Sequence, residues 1–491
     1  MGGDRTLRFP AELVELFARA GHDRNPLHLS PQYARATPYG EPVVHGALAA
    51  LGALALVPAR PGMAVSRLEI TFTGPVLRDK VYEVDVAETD DGARVRLTGL
   101  YGTALTAGAT LVAAPAVTMP RTLVDGEVRR TPRALALADL DVGRSAIGTY
   151  RADPAALAAL AARLRLAGGA LDRAAVEAVL WGSYLTGMEL PGRQALLARL
   201  RLDLDPDRPA SADGFAYQAR VERRDERFRL VEIDARLGTV ARARIGAFVR
   251  EPAAEPDTTA IAEAVAGLPR LDGAAVVVGG SRGLGAALAL GLARLGAHVT
   301  ATYQVSQDRA EALARQAGEL GAALTLARGD AADPDWCARL AADLAARHDG
   351  LDTLVCCAVP PLRPMRLEAA TVEPFVDYTA VSLRLALTPV VALLPLLARR
   401  RGTVLLLSSA ALDALPVAWP HYGAAKSALE SVCGVLARAH PQVSFRTVRA
   451  PALATDLVDP LTRPGQALAP EAFAARLLVD ITGPVTPAGR R

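Results

Sequence analysis

The stretch VVVGGSRGLG, Val276–Gly285, determines the fold of the C-terminal part of the chain. Apolar β-branched residues predict a strand, and glycines at 279, 283 and 285 predict a sharp turn into an apolar helix. Such a turn lets the backbone approach a pyrophosphate bound at the helix N-terminus. Beyond it, strand-like and helical segments alternate. Residues 273–491 are therefore predicted to form an α/β Rossmann-type, doubly wound parallel sheet.

The end of the second predicted strand indicates which dinucleotide binds. A fold selective for NAD places a carboxylate there, at the ribose 2′-hydroxyl. Residues 300–304, TATYQ, contain no acid, whereas Arg282 in the glycine-rich turn offers a cation for a 2′-phosphate. The pattern favours NADPH. The alternative for Arg282 is an ordinary surface arginine in an arginine-rich chain.

A second motif, SSAALDALPVAWPHYGAAK over Ser408–Lys426, carries the chemistry of a carbonyl reduction. Tyr422 and Lys426 are four residues apart, so they share one face of a helix. An ammonium beside a phenol lowers the tyrosine pKa, which makes Tyr422 a proton donor to a carbonyl that receives hydride. Ser409 precedes them at a strand end and is placed to bind the same carbonyl oxygen. Only Lys80 and Lys426 are lysines among 55 basic residues, so this spacing is not a product of lysine abundance.

The N-terminal half contains two similar stretches in the same order, offset by about 130 residues. Each has an apolar helix followed by three alternating, strand-like segments, beginning at VVHGAL (Val43–Leu48) and at VLWGSY (Val179–Tyr184). We interpret them as two copies of one α+β unit, a helix wrapped by an antiparallel sheet, over residues 1–125 and 126–250. Residues 251–272 are rich in proline, alanine and acids, and are predicted to be a linker or connecting helix.

Within the first copy, the stretch FARAGHDRNPLHLSPQYA, Phe17–Ala34, places Asp23 and His28 around an Asn25-Pro26 turn. A turn can bring a carboxylate and an imidazole together to hold one water or to remove one proton. The second copy is expected to lack this pair, because the stretch taken as its counterpart reads DPAALAALAARL.

Charge and cysteine content exclude several classes of protein. The net charge is +3 with both signs interspersed, so nothing indicates nucleic-acid binding or a membrane surface. The longest apolar run, Leu385–Ala398, is short and contains two prolines. The four cysteines, at 337, 356, 357 and 433, lack metal-ligand spacing. We expect a cytoplasmic protein with reduced thiols, no metal and no membrane anchor.

The C-terminal residues resemble the short-chain dehydrogenase/reductase family, and within it the 3-oxoacyl-thioester reductases, over about residues 273–459. The resemblance implies a catalytic role for Ser409, Tyr422 and Lys426. It implies that the cofactor is bound by Tyr422 and Lys426 together with Gly279, Ser281, Arg282, Gly283, Leu284, Gly285, Asp330, Ala358, Pro451 and Thr455. Three places depart from the family: Cys356-Cys357-Ala358-Val359 replaces Asn-Asn-Ala-Gly, Ser382 replaces the catalytic-site asparagine, and Pro451-Ala452 replaces Pro-Gly.

The N-terminal stretch resembles the MaoC-type hydratase/dehydratase motif through Asp23, Asn25, Pro26, Leu27, His28 and Ala34, with Val44-His45-Gly46 at the helix start. The resemblance covers about residues 1–120. It implies a hot-dog fold with Asp23 and His28 as the catalytic pair. It also implies a double hot-dog region, in which the degenerate second half takes the place of the second unit with which a single hot-dog unit generally pairs. His22 stands where this family has glycine.

Together, the two resemblances imply a bifunctional NADPH-dependent 3-oxoacyl-thioester ketoreductase and (R)-3-hydroxyacyl-thioester dehydratase of fatty acid or polyketide assembly. Its substrate would be a thioester of acyl carrier protein or of CoA. The expected assembly is a homodimer or homotetramer formed through the reductase domain. Two alternatives remain open: the reverse chemistry, (R)-specific hydration and oxidation in acyl-CoA degradation, and a reductase attached to a non-catalytic hot-dog scaffold.

Overall fold

The computed structural model describes residues 5–35, 37, 39–113, 127–205, 214–250, 255–455 and 467–482. The chain forms two compact units, Met1–Pro252 and Ala253–Arg491. Each unit has its own hydrophobic core. The predicted boundary between residues 125 and 126 lies outside the described residues.

The N-terminal unit combines short helices with a long antiparallel sheet. Its helices are α1 (Ala11–Gly21), α2 (Pro26–Leu29), α3 (Pro31–Arg35), α4 (Gly46–Leu54), α5 (Pro154–Arg163) and α6 (Arg173–Tyr184). A π-helical turn, Leu185–Glu189, continues α6. Its strands are β1 (Thr6–Arg8), β2 (Met63–Phe72), β3 (Val81–Thr89), β4 (Gly92–Gly99), β5 (Gly102–Ala113), β6 (Ser145–Tyr150), β7 (Ala195–Leu204), β8 (Phe215–Asp225), β9 (Leu230–Leu237) and β10 (Ala241–Val249).

The strand order reveals two hot-dog halves that share one sheet. The order is β1-β3-β4-β5-β2-β7-β10-β9-β8-β6, which reads as the same half twice, with the second half reversed. The halves join where β2 pairs antiparallel with β7 and Glu69 lies opposite Arg201. Their side chains also form a 3.3 Å ion pair. The prediction of a double hot-dog fold is confirmed.

The sheet wraps the two apolar helices that the repeat predicts. In α4, every residue from Ala47 to Leu54 is buried, and in α6 every residue from Ala174 to Tyr184 is buried. A helix that is apolar on all sides is stable only in such a surrounded position. The two central helices therefore organise the core of the unit, and the segment that precedes α4 carries Asp23 and His28.

The two halves differ in the loop that precedes the central helix. In each half the first helix is followed by a residue in the left-handed region, His22 with φ 58° and Arg165 with φ 55°. His22 thus adopts the left-handed conformation, which glycine adopts more readily than other residues. The interpretation of DPAALAALAARL as the counterpart of the Asp23 loop is wrong, because that stretch forms α5, the counterpart of α1. The corresponding loop places Leu166 after Arg165, where the first half has Asp23 after His22.

The C-terminal unit is a parallel sheet covered by helices. Its strands are β11 (Ala274–Val278), β12 (His298–Tyr303), β13 (Leu324–Arg328), β14 (Thr353–Cys356), β15 (Thr403–Ser409) and β16 (Ser444–Ala450), in the order β13-β12-β11-β14-β15-β16. Its helices are α7 (Thr258–Ala264), α8 (Gly283–Arg294), α9 (Gln307–Glu319), α10 (Pro334–Arg347), α11 (Val372–Arg400), α12 (Ala411–Ala414), α13 (Pro420–Ala439) and α14 (Pro470–Thr482). All the strands pair in parallel, as in a Rossmann-type fold, which confirms the predicted fold class.

Two segments of this unit bear on the sequence predictions. Helix α7 lies in the segment predicted as a linker, and its Ile261 is buried in the core of this unit. The apolar run in α11 belongs to the one helical stretch of the described residues, Ala369–Arg400, that is long and apolar enough to cross a membrane. Here Val390 and Leu393 of α11 are buried against the sheet, so the helix forms part of the core.

Candidate active sites

The loop between α1 and α2 presents Asp23 and His28 to one another. Asn25 forms the turn: its Oδ1 accepts a hydrogen bond from the Leu27 amide and caps α2. Ligand-capable atoms of Asp23, His28 and His45 all lie within 4.8 Å of one another. The Asn-Pro turn therefore brings the carboxylate and the imidazole together at a separation that one water or one substrate group can bridge.

The second half of the unit holds this loop in place. The Asn25 side-chain amide donates to the carbonyl oxygens of Gly187 (3.1 Å) and Gly192 (3.2 Å). The Ser183 hydroxyl donates a 2.6 Å hydrogen bond to Oδ2 of Asp23. Gly187 lies in the π-helical turn, and a Cβ there would come within 2.4 Å of Oδ1 of Asp23. The carboxylate thus fits into a recess that needs glycine.

Hydrogen bonding fixes the tautomer of His28. Its Nδ1 lies 2.9 Å from the carbonyl oxygen of Val43, so Nδ1–H donates and Nε2 keeps its lone pair. Burial lowers the pKa of His28 to about 4, although the Val43 carbonyl opposes the shift. His28 is therefore a neutral proton acceptor at neutral pH.

Burial has the opposite effect on the neighbouring carboxyl. Asp23 is 2% exposed, and burial raises its pKa to about 6, although hydrogen bonds from Ser183 and the Asn25 amide oppose the shift. Asp23 is thus ionised at neutral pH but titrates close to it. Such a value is typical of a carboxyl that gains and loses a proton during a reaction.

His45, at the start of α4, contacts both Asp23 and His28. Its ring stacks on that of His28 with centroids 3.8 Å apart, and Nε2 donates a 3.1 Å hydrogen bond to the backbone carbonyl of Asp23. Burial lowers its pKa well below the usual value. A neutral His45 therefore orders both catalytic candidates without adding charge.

In the C-terminal unit, the glycine-rich turn joins β11 to α8 as predicted. Gly279 has a φ of 75°, and a Cβ there would come within 2.8 Å of the Ala358 amide nitrogen. A Cβ on Gly285 would come within 2.2 Å of the Gly279 carbonyl oxygen. Both positions require glycine because β11, α8 and the end of β14 approach closely there. No side chain caps the N-terminus of α8, so its first N–H groups face outward from the turn.

The remaining predicted cofactor residues gather at the carboxyl ends of the strands. Asp330 follows β13 and caps a turn at the Ala332 amide, and Thr455, after β16, lies against Gly283. Ala358 follows β14 and Pro451 follows β16. This edge is where a Rossmann-type sheet binds its ligand.

Ser409, Tyr422 and Lys426 meet at the same edge. Ser409 ends β15, and its hydroxyl forms a hydrogen bond with the Tyr422 phenol. Lys426 lies one helical turn beyond Tyr422 on α13, with Nζ 5.7 Å from the centre of the tyrosine ring. A hydroxyl, a phenol and an ammonium thus lie together at one end of the sheet.

The expected lowering of the Tyr422 pKa is wrong for this arrangement. Burial raises the pKa of Tyr422, and the Ser409 hydroxyl only partly opposes it. The Lys426 ammonium instead donates a 2.5 Å hydrogen bond to the Leu407 carbonyl, and burial lowers its own pKa to about 8. Lys426 is therefore directed at the backbone of β15 rather than at the phenol.

The departures from the reductase family lie around this site. Ser382 donates to the carbonyl of Tyr378 one turn earlier in α11. The Tyr378 ring meets His421 edge-on at 4.4 Å. The Cys356 and Cys357 thiols lie close enough to Lys426 to influence its pKa. The lost asparagine is thus replaced by a hydroxyl that is already bonded within its own helix.

Several supporting residues were not identified from the sequence. Ser183 and Gly187 occur in or just after VLWGSY, which the sequence presented only as a repeated helix. A network of Ser408, Glu430 and Arg449 ties the end of β15 to α13, with Ser408 Oγ 2.6 Å from Glu430 Oε1. These contacts join residues that are distant in sequence, so no local sequence pattern predicts them.

Comparison with known proteins divides the chain in the same way. Residues 4–105 match the family model of the MaoC like domain, and residues 273–464 match that of short chain dehydrogenase. Curated relatives include the short-chain dehydrogenase/reductase FrzI of Cladobotryum sp., 38% identical over 85 residues, and the short chain dehydrogenase mdpC of Emericella nidulans, 40% identical over 88 residues. These alignments cover 17% and 18% of this chain, and the chain spans about a third (33%) of each relative.

Solved structures similar to the chain include an alcohol dehydrogenase from Thermococcus sibiricus complexed with 5-hydroxy-NADP (25% identity, TM-score 0.39). Another is a short chain dehydrogenase from Burkholderia cenocepacia in complex with NADP (28% identity, TM-score 0.39). Each covers 43% of this chain, and the chain covers 91% and 90% of them. From the two family matches and the two folds, the chain joins a MaoC-like domain to a short-chain dehydrogenase domain in one polypeptide.

Proposed function

We propose that this protein is an NADPH-dependent 3-oxoacyl-thioester reductase and an (R)-3-hydroxyacyl-thioester dehydratase. The observation that carries the proposal is that one chain holds both Ser409-Tyr422-Lys426 and the Asp23–His28 pair. Reduction of a 3-oxoacyl thioester yields the 3-hydroxyacyl thioester that the second site dehydrates to an enoyl thioester. The two reactions are thus consecutive steps of acyl-chain assembly, in fatty acid or polyketide biosynthesis.

The residues at the C-terminal edge of the parallel sheet fit a dinucleotide. The uncapped first turn of α8 would bind the pyrophosphate, and Asp330 and Ala358 would border the adenosine and ribose. Residues 300–304 bring no carboxylate to the 2′ position, and Arg282, the residue before α8, supplies a positive charge. These features favour NADPH, which supplies a hydride when bound.

In the reduction, Tyr422 donates its phenolic proton to the carbonyl oxygen as C3 receives hydride. Ser409 holds the same oxygen and orients the phenol, to which it is already bonded. Lys426 donates to the Leu407 carbonyl, but its ammonium is 5.7 Å from the centre of the tyrosine ring, and from that distance its charge stabilises the tyrosinate that forms. Tyr422 regains its proton from water before the next turnover.

In the dehydration, the Asp23–His28 pair moves one proton. His28 Nε2 accepts the α-proton from C2, the C3–O bond breaks, and the departing hydroxide leaves as water with that proton. The Asp23 carboxylate stabilises the imidazolium within the 4.8 Å cluster while the proton is in transit. Both groups end the cycle as they began, so the site needs no proton from solution.

Exposed apolar side chains support assembly of the reductase domain into a homodimer or homotetramer. Val376 and Val391 on α11 are exposed, and so is Val435 on α13. Exposed valines on adjacent long helices favour contact with another copy. Four unpaired cysteines support a reducing, cytoplasmic location.

Two assays with the purified chain test the proposal. NADPH oxidation with a 3-oxoacyl thioester measures reduction, and loss of enoyl absorbance in water measures the reverse of dehydration. Both activities are expected. Oxidation of the 3-hydroxyacyl thioester with NAD⁺ but no reduction with NADPH would support the degradative alternative. Reduction without hydration would indicate a non-catalytic hot-dog region.

A further inference from the structure

A buried arginine without an acidic partner lies beside the Asp23 loop. Arg250 follows β10 and is 4% exposed. Its Nη2 donates to the Tyr33 hydroxyl (3.1 Å) and to the Arg193 carbonyl oxygen (3.0 Å), and its Nε is buried without a partner. Among the described residues no carboxylate forms an ion pair with Arg250.

A second arginine shares the same aromatic ring. The guanidinium carbons of Arg193 and Arg250 lie 5.3 and 5.6 Å from the centre of the Tyr33 ring. Within the described part of the chain, Arg193 also lacks an ion pair with a carboxylate. Two guanidinium groups therefore converge on one tyrosine with no opposing charge from these residues.

Such an arrangement is costly without a ligand. A guanidinium keeps its charge at all working pH values, and a buried charge is stable only when an opposite charge or several hydrogen bonds compensate it. One carbonyl and one phenol do not neutralise Arg250. The cluster of Arg250, Arg193 and Tyr33, which we name the arginine cluster, therefore has the composition of an anion site. Guanidinium groups suit phosphate in particular because they bind it through two parallel hydrogen bonds.

The arginine cluster is connected to the catalytic loop and to solvent. The Arg193 carbonyl oxygen accepts from Arg250 and also, at 3.4 Å, from the Asn25 amide of the catalytic turn. The Arg193 side chain is exposed, whereas Asp23 is buried. The arginine cluster thus lies between the catalytic turn, which it contacts through the Arg193 carbonyl, and solvent, which the Arg193 side chain reaches.

We infer that the arginine cluster binds the phosphate of the 4′-phosphopantetheine arm that carries the acyl thioester. CoA and acyl carrier protein share this arm, so the subsite recognises the chemistry that both carriers have in common. The inference rests on the proposed dehydratase function. It adds a recognition element supplied by the second hot-dog half, since Arg193 and Arg250 flank β7 and β10.

The test compares hydration of one enoyl group on four carriers: pantetheine, 4′-phosphopantetheine, CoA and acyl carrier protein. In the parent enzyme, kcat/KM for the phosphopantetheine thioester is expected to exceed that for the pantetheine thioester by about tenfold or more, the gain of one charge-assisted contact. Arg250→Met should reduce this ratio at least fivefold. Arg193→Met, at an exposed position that tolerates substitution, should reduce it in the same direction. Arg244→Met, at an exposed position on β10, is the matched control and should keep the parent ratio.

The assays with CoA and with acyl carrier protein identify which carrier supplies the phosphate. A loss with Arg250→Met on CoA, on acyl carrier protein or on both supports the subsite and names the carrier. A parent ratio near one, or an unchanged ratio in both arginine variants, overturns it. If the parent hydrates none of these thioesters, the dehydratase proposal fails, and calorimetry with 4′-phosphopantetheine still tests the subsite. Binding that is lost in Arg250→Met supports it, and equal or undetectable binding in both proteins contradicts it.

Discussion

The Ser183 hydroxyl lies 2.6 Å from Oδ2 of Asp23, and the two residues come from opposite halves of the double hot-dog unit. The half without a catalytic pair therefore completes the site of the other. Asn25 makes further contacts between the two halves, because its side-chain amide donates to the backbone carbonyl oxygens of Gly187 and Gly192. The second half contributes positioning contacts rather than proton transfer.

The elevated pKa of Asp23 predicts the pH dependence of the dehydratase. With a pKa of about 6, Asp23 is a carboxylate above that pH and is protonated below it. Because the carboxylate stabilises the His28 imidazolium, dehydration should decline as pH falls through about 6, approaching tenfold per pH unit below it. The check is the pH profile of kcat for hydration of an enoyl thioester. A rate that is constant or rises between pH 7 and pH 5 would contradict this role.

Ser183→Ala should shift that profile to higher pH. The lost hydrogen bond favours the ionised form of Asp23, so its removal raises the pKa. A hydrogen bond to a charged group contributes about 1.5–3 kcal/mol, which corresponds to about one to two pH units. Thr186→Ala is the control, because Thr186 bonds to the Gly182 carbonyl in the same helix. Ser183→Thr should restore the parent profile. An unmoved profile in Ser183→Ala would show that Ser183 has only a structural role.

Tyr422→Phe should stop the reductase and spare the dehydratase. The substitution removes the phenolic proton and little else, so kcat for NADPH oxidation should fall by about 10²–10⁴-fold. Hydration of an enoyl thioester by the same preparation shows that the N-terminal unit is intact. A variant that keeps most of its reductase rate would disprove the assignment of Tyr422 as proton donor.

Arg282→Ala should weaken the binding of NADPH more than the binding of NADH. If Arg282 meets the 2′-phosphate, its loss should raise KM for NADPH about tenfold, the value of one charge-assisted contact, and leave KM for NADH within about twofold. Steady-state rates with both cofactors check this. Equal or faster turnover with NADH by the parent enzyme would refute the preference itself.

Patterns that are local in sequence predicted most of the fold. The glycine-rich turn and the Tyr422–Lys426 spacing each lie within one or two adjacent elements, so their residues meet once those elements form. The repeated helix and strands likewise predicted the paired halves. The duplicated order was readable because each half must bury the same apolar helix.

What the sequence did not reveal depends on long-range contacts. Ser183 is 160 residues from Asp23, and its hydroxyl has no local feature that marks it as a partner. The counterpart of the Asp23 loop in the second half was placed wrongly for a different reason. Helix α5 and the loop after it are both rich in alanine and leucine, so composition does not separate them. The direction of Lys426 depends on how α13 packs on β15, which spacing along α13 alone does not specify.

The most direct test of the bifunctional account is product analysis with Asp23→Asn. Parent and variant are each incubated with a 3-oxoacyl thioester and NADPH, and the thioesters are identified by mass spectrometry. The parent should yield the enoyl thioester. Asp23→Asn keeps the shape of the side chain without its charge, so the (R)-3-hydroxyacyl thioester should accumulate while NADPH is consumed at the parent rate. Enoyl product from the variant at near the parent rate, or no enoyl product from the parent, would contradict the account.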